Sequence, residues 1–377
     1  MNITSLFLFT QQETLPDDPA LTPPPGVVPN FDDPPNKNYL GIFTNVICLI
    51  LTITLVAARL YFKYFCVKKV HVEDYLVVLG LVAFLASVGC NIHIIRTSGL
   101  FVHQWNIRLK DFSTVLYVLY IGNNICAVTI TLVKAAILLD WIHIFVPLHA
   151  RNLFFWTCVV VLILNTIFHV TWVTVQFMAC IPHQKIWDRL ITTGACVHAS
   201  GLYIPAAAVN LTSNVVILLL PQKEIWCLRI ATRDKAAASI LFIFTSTLSC
   251  ASAGMRLHHT RIFYHAMDQL YSVASMYLWT LAETTCLFLV LCVPTAPKVF
   301  KKGEKKTRSL LSPRNRHNLG GGNTCQTWAI EMNNIVRRTS ASSLRNEGTA
   351  DIMRSTFETD RGTVTVPKEK CSKKPWR

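Results

Sequence analysis

Seven stretches of this chain are each long and apolar enough to cross a lipid bilayer, and no other feature restricts its fold as tightly. A spanning helix needs roughly 20 mostly apolar residues. Runs of that kind lie at Leu40–Ala58, Tyr75–Ile95, Val115–Leu139, Leu153–Val175, His198–Leu220, Ala236–Met255 and Leu270–Val293. The third contains one charged residue, Lys134, and the seventh one, Glu283; the other runs contain no Asp, Glu, Lys or Arg. The segments between them hold charges, Pro or Gly, as loops do. A soluble helical bundle would show polar faces at helical period, whereas these runs are apolar all round. The expected fold is therefore an all-α membrane protein, a seven-transmembrane-helix bundle. Composition agrees, since only 15% of residues are charged against about a quarter in soluble domains. A net charge of +15 would in isolation suggest a nucleic-acid partner. Its concentration in one tail beside an apolar bundle excludes that reading.

Three regions follow. Residues 1–38 form an acidic, Pro-rich stub (Asp17, Asp18, Pro23, Pro24, Pro25, Asp32, Asp33), expected to be flexible. Its short apolar patch lacks a basic n-region, so the first span is expected to act as its own insertion signal. Residues 39–298 are the membrane domain. Residues 299–377 form a basic tail with few large apolar side chains, expected to be disordered and cytoplasmic. Basic flanks of the loops nearly balance on the two sides. The cluster Lys298, Lys301, Lys302, Lys305, Lys306 and Arg308 decides for an outside N-terminus and an inside C-terminus. The same cluster is placed to attract anionic inner-leaflet lipid, at about 1 kcal/mol per charge. Within the tail, Arg337-Arg338-Thr339-Ser340 reads as a basophilic phosphorylation site at Ser340.

Of 13 cysteines most fall in apolar spans, where a thiol behaves as a small hydrophobe. Cys180 and Cys196 share the loop after the fourth span, on the oxidising side of this topology, and are expected to form a disulfide. Cys90, near the outer end of the second span, is the competing partner. The sequon at Asn2 is accessible for glycosylation. The one at Asn210 lies mid-span and is discounted.

Ionisable groups within spans are functional candidates, because each is costly unless paired. Glu283 falls near the middle of the seventh span with Trp279 one turn before it. Lys134 sits nearer the inner end of the third, where it could instead snorkel toward headgroups. Asn210 and Asn214 lie one turn apart on the fifth. Asn165 and His169 lie on the fourth, and Asn123 and Asn124 on the third. These residues predict an intramembrane polar layer of Lys134, Asn165, Asn210, Asn214, Trp279 and Glu283. The bland alternative is interhelical packing worth about 1 kcal/mol per amide.

From about Asn38 to Lys298 the chain resembles the fungal-type rhodopsin-domain integral membrane proteins. The resemblance rests on Ala58-Arg59-Leu60-Tyr61-Phe62-Lys63 closing the first helix and Glu73-Asp74-Tyr75 opening the second. It continues in Gly99, His103 and Lys134, then in Cys180-Ile181-Pro182, Trp187 and Gly194-Ala195-Cys196. Asn210, Pro221, Arg256, Trp279 and Glu283 complete it. This sequence departs from the pattern in having Asn214 where many members have Asp, and Phe101 where a second Gly is usual. The first forty or so residues hold no Cys, so a cysteine-rich ectodomain is not implied. The resemblance implies a receptor-like protein of the plasma membrane. An unidentified small-molecule or surface ligand and a heterotrimeric G protein would be its partners. Covalent retinal is not expected despite the family's name, because Leu270–Val293 contains no Lys; no cofactor is expected. A transporter or channel using Glu283 and Lys134 is the alternative, although paired repeats and broken helices are not evident. An enzyme is not expected. Neither HExxH nor GxSxG occurs, and His258, His259 and His265 lie on the opposite side from His143 and His149.

Overall fold

The computed structural model describes residues 17–67, 70–146, 152–188, 190–191, 193–196, 200–227 and 232–293. The sequon at Asn2, Ser340 and the basic tail lie outside the described residues. Seven helices are long and apolar enough to span a membrane: α1 (Asn38–Phe62, continued by a π-turn over Lys63–Val67), α2 (Val72–Thr97), α3 (Leu109–Phe145), α4 (Leu153–Phe177), α5 (Ser200–Cys227), α6 (Thr232–His265) and α7 (Gln269–Cys292). The all-α seven-helix fold read from the apolar runs is what the chain adopts.

The helices outrun the apolar runs. The third begins six residues before Val115 and ends six after Leu139, and the sixth continues from Met255 to His265. The fifth passes through Pro221 to Cys227 rather than stopping at the proline. A helix keeps its backbone hydrogen bonds beyond the hydrocarbon, so charge marks the end of apolarity and not of the helix.

α3 and α7 bury the largest share of their apolar windows and α4 the smallest, so α3 and α7 form the axis of the bundle. Around them Val56, Val77, Phe84, Val133, Ile137, Phe288 and Leu291 make one apolar core. The rings of Phe84 and Phe288 meet edge to face at 5.8 Å. Ile42, Phe43, Leu79, Val82, Leu164, Ile167, Ile240 and Phe244 are exposed around the circumference. In a bilayer those side chains meet lipid, which removes the cost of exposing them to water.

Residues 17–37 do not form a loose stub. Ala20 N–H donates to Ile107 O at 2.9 Å, Leu109 N–H to Asp18 O at 2.9 Å and Lys37 N–H to Leu100 O at 2.9 Å. Lys110 Nζ lies 2.6 Å from Asp17. The expected flexibility is thus corrected for these residues: the segment is pinned to the loop joining α2 and α3. That loop is pinned in turn to α7. His103 Nδ1 lies 2.6 Å from Asp268 Oδ2, and its ring stacks between Trp105 and Tyr271. Asp268 Oδ1 meanwhile accepts Tyr271 N–H and so caps α7. Gly99 has φ +83°, and Phe101, the family's second glycine position, has φ +60°. A bulky residue held there is uncommon; its ring is held against Tyr271 and under the Lys37 ammonium.

Between α4 and α5, β1 (Cys180–Ile181) pairs antiparallel with β2 (Ala195–Cys196), with Cys180 opposite Cys196. The two are joined by a disulfide, so the pairing is Cys180–Cys196 and Cys90 stays free.

Candidate functional site

At the centre of the bundle a single carboxylate of one helix is held by two others. Glu283 of α7 is fully buried. Its Oε1 accepts hydrogen bonds from Nδ2 of Asn210 and, at 2.7 Å, from Nδ2 of Asn214, both on α5. Its Oε2 lies 2.8 Å from Nε of Arg256 on α6. The spacing of the two asparagines explains the first contacts, since residues four apart on a helix project from one face. Asn210 also faces α3. Its Oδ1 accepts from Lys134 Nζ at 2.9 Å, and Lys134 reaches Ser213 Oγ at 3.2 Å. Ser213 Oγ donates to Asn165 Oδ1 of α4 at 3.3 Å. One polar layer therefore ties α3, α4, α5, α6 and α7 together.

The structure brings Lys134, Asn165, Asn210, Asn214 and Glu283 into this layer. Lys134 is fully buried and turned toward α5, so the snorkelling alternative does not hold. Trp279 stands apart, stacked on His259 of α6 with centroids 6.4 Å apart. Arg256 entered the sequence reading as a landmark of the resemblance but not as a member of the layer, because the apolar run stops at Met255. Its position nine residues before the end of α6 puts it inside the bundle.

Beside the layer lies a cavity of about 60 Å³ between α3, α4, α5, α6 and α7. Arg256, Asn210, His169 and Asn123 supply its polar wall; Phe168, Trp172 and Tyr203 supply aromatic surface. His169 is buried with neither ring nitrogen hydrogen-bonded.

A second ionic cluster lies toward the other end of α3. Arg59 of α1 grips Asp140 of α3 through Nη2–Oδ1 at 2.7 Å and Nη1–Oδ2 at 3.3 Å, while Nη1 donates to Leu291 O of α7 at 2.6 Å. Lys63 Nζ lies 2.8 Å from Asp74, 3.1 Å from Glu73 and 3.2 Å from Asp140. Arg59, Lys63, Glu73 and Asp74 entered the sequence reading as landmarks of a resemblance, without a role. Asp140 did not enter it, because the third apolar run ends one residue earlier.

The chain was compared with known proteins. The family model described as "Fungal rhodopsin domain" matches residues 58–302. A protein named Fugralins biosynthesis cluster protein 2, from Gibberella zeae, is 34% identical over 288 residues, covering 76% of this chain and 71% of the relative. A SAT4 family membrane protein from Emericella nidulans is 26% identical, covering 61% of this chain and 57% of its own. Polyenoic acids biosynthesis gene cluster protein Ba17b from Metarhizium anisopliae is 22% identical, covering 85% and 86%. No solved structure matches.

Proposed function

We infer that this chain, which belongs to the fungal rhodopsin domain family, is a receptor-like sensor and not an enzyme. In this reading the N-terminus faces out, the basic tail faces the cytoplasm and the plasma membrane is its site. The observation that carries it is the buried Glu283, held at once from α5 and α6 beside a cavity. A molecule entering that cavity would bear on contacts joining five helices. Differential binding to two packings of those helices is all that signalling across the bundle requires.

Transport is the reading from another class, and one feature disfavours it. Beyond the layer, Val133, Ile137, Leu287, Phe288 and Leu291 fill the axis with apolar side chains that are essentially fully buried. A conducting path would have to open through that plug. Covalent retinal has no support either, because α7 carries no lysine. The cavity is also far below the several hundred Å³ that a ligand of that size occupies. Added retinal is expected to give no opsin-type absorption band.

Two of the similar proteins are named for biosynthesis clusters, of fugralins and of polyenoic acids. By likeness, the sensed molecule belongs to a product class of such a cluster. On the inner side, a heterotrimeric G protein and anionic lipid are the proposed partners. The test is proximity labelling in native cells from a tag after Arg377. Enrichment of G-protein or cyclic-nucleotide signalling subunits over a membrane-protein control supports sensing. Absence of both, with the protein at the cell surface, removes it and makes solute flux through a Glu283→Gln variant the next measurement.

A further inference from the structure

We propose that the cavity is a carboxylate site, with the ligand's head on the Arg256 guanidinium and an apolar body against Phe168, Trp172 and Tyr203. The proposal deepens the sensing reading by naming the chemistry of the ligand. Three independent features carry it.

The first is charge. Lys134 and Arg256 bring two basic groups to the layer, and Glu283 brings one carboxylate, which leaves one basic group without an acidic partner. Buried charges are normally paired. The cluster around Arg59 and Lys63 sets three carboxylates against two cations, but Asp140 lies six residues beyond Lys134 on α3. At 1.5 Å per residue that is about 9 Å away, and those carboxylates are already bound to Arg59 and Lys63. A monoanion in the cavity balances the layer locally, whereas a phosphate dianion would overshoot it.

The second is unspent hydrogen-bonding capacity. A guanidinium offers five N–H donors in a planar fork that matches a carboxylate. Among the described residues, Glu283 is the one acceptor set against Arg256, and it faces Nε, leaving both terminal nitrogens for a ligand. His169, 7% exposed, lines the same cavity with both ring nitrogens unpartnered. Buried polar side chains without partners are rare in folded proteins. His169, beside the open fork of Arg256, marks a place where a ligand supplies the missing partner.

The third is shape. A cavity of about 60 Å³ holds a carboxylate and a few carbons, since each water-sized centre takes about 10–15 Å³. The rest of a longer ligand would lie between α4 and α5, which pack on each other less closely than α4 packs on α3, by parting the Trp172–Tyr203 ring contact. Phe168 and Trp172 of α4 and Tyr203 of α5 stand there.

The full chain in phosphatidylcholine nanodiscs would be titrated with octanoate, octan-1-ol, octylammonium and butyrate, following Tm and tryptophan fluorescence. Octanoate is expected to saturate the change in tryptophan fluorescence and to raise Tm with the logarithm of its concentration, by about 5 °C at a hundredfold excess over Kd. The alcohol and the amine at equal membrane loading should not. Butyrate equal to octanoate would still support a carboxylate site and identify a water-borne ligand; octanoate alone identifies an amphiphile drawn from the membrane. Glu283→Gln removes a negative charge and should strengthen octanoate binding. Ala207→Leu fills the cavity and should abolish it. The proposal is overturned if the alcohol or the amine binds as well as the acid. It is equally overturned if no probe binds, or if Ala207→Leu leaves octanoate binding intact. Such a result would leave the sensing reading standing, because that reading is decided by proximity labelling.

Discussion

Glu283 and Arg256 are each other's counter-charge inside the bundle, 2.8 Å apart. Removing one partner of a buried pair leaves an uncompensated charge and costs about 3–5 kcal/mol. In Glu283→Gln the amide oxygen can still accept from Asn210 and Asn214, but the amide nitrogen then faces the Arg256 guanidinium donor to donor. Glu283→Gln and Arg256→Gln should therefore each destabilise by about 3 kcal/mol or more. The double variant should cost clearly less than the sum, because the second change removes a charge that the first left stranded. Unfolding of the four proteins in a double-mutant cycle measures this. Additive losses would mean that the 2.8 Å contact carries no coupling and that each residue is held by its other neighbours. The sequence made half of this pair legible. Glu283 stands out as the one charge in an apolar run, whereas Arg256 is first in a row of charges and His that reads as the start of a loop.

At the scale of elements, the disulfide hairpin depends on one backbone position. Gly194 has φ +89°, where side chains are strained, and a Cβ there would overlap the carbonyl oxygen of Ile181 on the facing strand. Gly194→Ala should open β1 from β2 even with the Cys180–Cys196 bond intact. Faster amide exchange across residues 180–196 would be the observable; unchanged protection would show that the disulfide alone holds the loop. The seven elements themselves were legible in the sequence because hydropathy reports burial in lipid directly. Their ends were not, since α3 and α6 continue as helix past the charges that close the apolar runs. Those ends kept Asp140, one residue after Leu139, out of the sequence reading and left Arg256, one residue after Met255, as a landmark without a role. The packing of residues 17–37 was equally illegible. Its hydrogen bonds to the α2–α3 loop are largely backbone contacts, which leave no mark on the type of residue used.

Across the whole molecule, α7, like α3 with its Lys134 and Asp140, belongs to both ionic clusters. Its Glu283 side chain belongs to the central layer, and eight residues on its Leu291 carbonyl accepts Arg59 Nη1. At 1.5 Å per residue the two points lie about 12 Å apart along one uninterrupted helix. Between them Phe288 and Leu287 are packed with essentially no exposure, so α7 is expected to shift as a rod and not to bend. A shift or rotation of α7 that relaxes Glu283 must then displace Leu291 O from Arg59. That guanidinium also grips Asp140, whose carboxylate shares Lys63 with Glu73 and Asp74 at the start of α2. Glu283→Gln is accordingly expected to raise hydrogen–deuterium exchange in residues 59–75, the end of α1 and the beginning of α2, although no atom of Glu283 touches them. Asp140→Asn should raise exchange in the same segment by acting on the cluster itself. If Glu283→Gln loosens only α5 and α6 while residues 59–75 keep their protection, the two clusters are independent staples. The bundle would then lack the mechanical link that a sensor needs between its cavity and its far end.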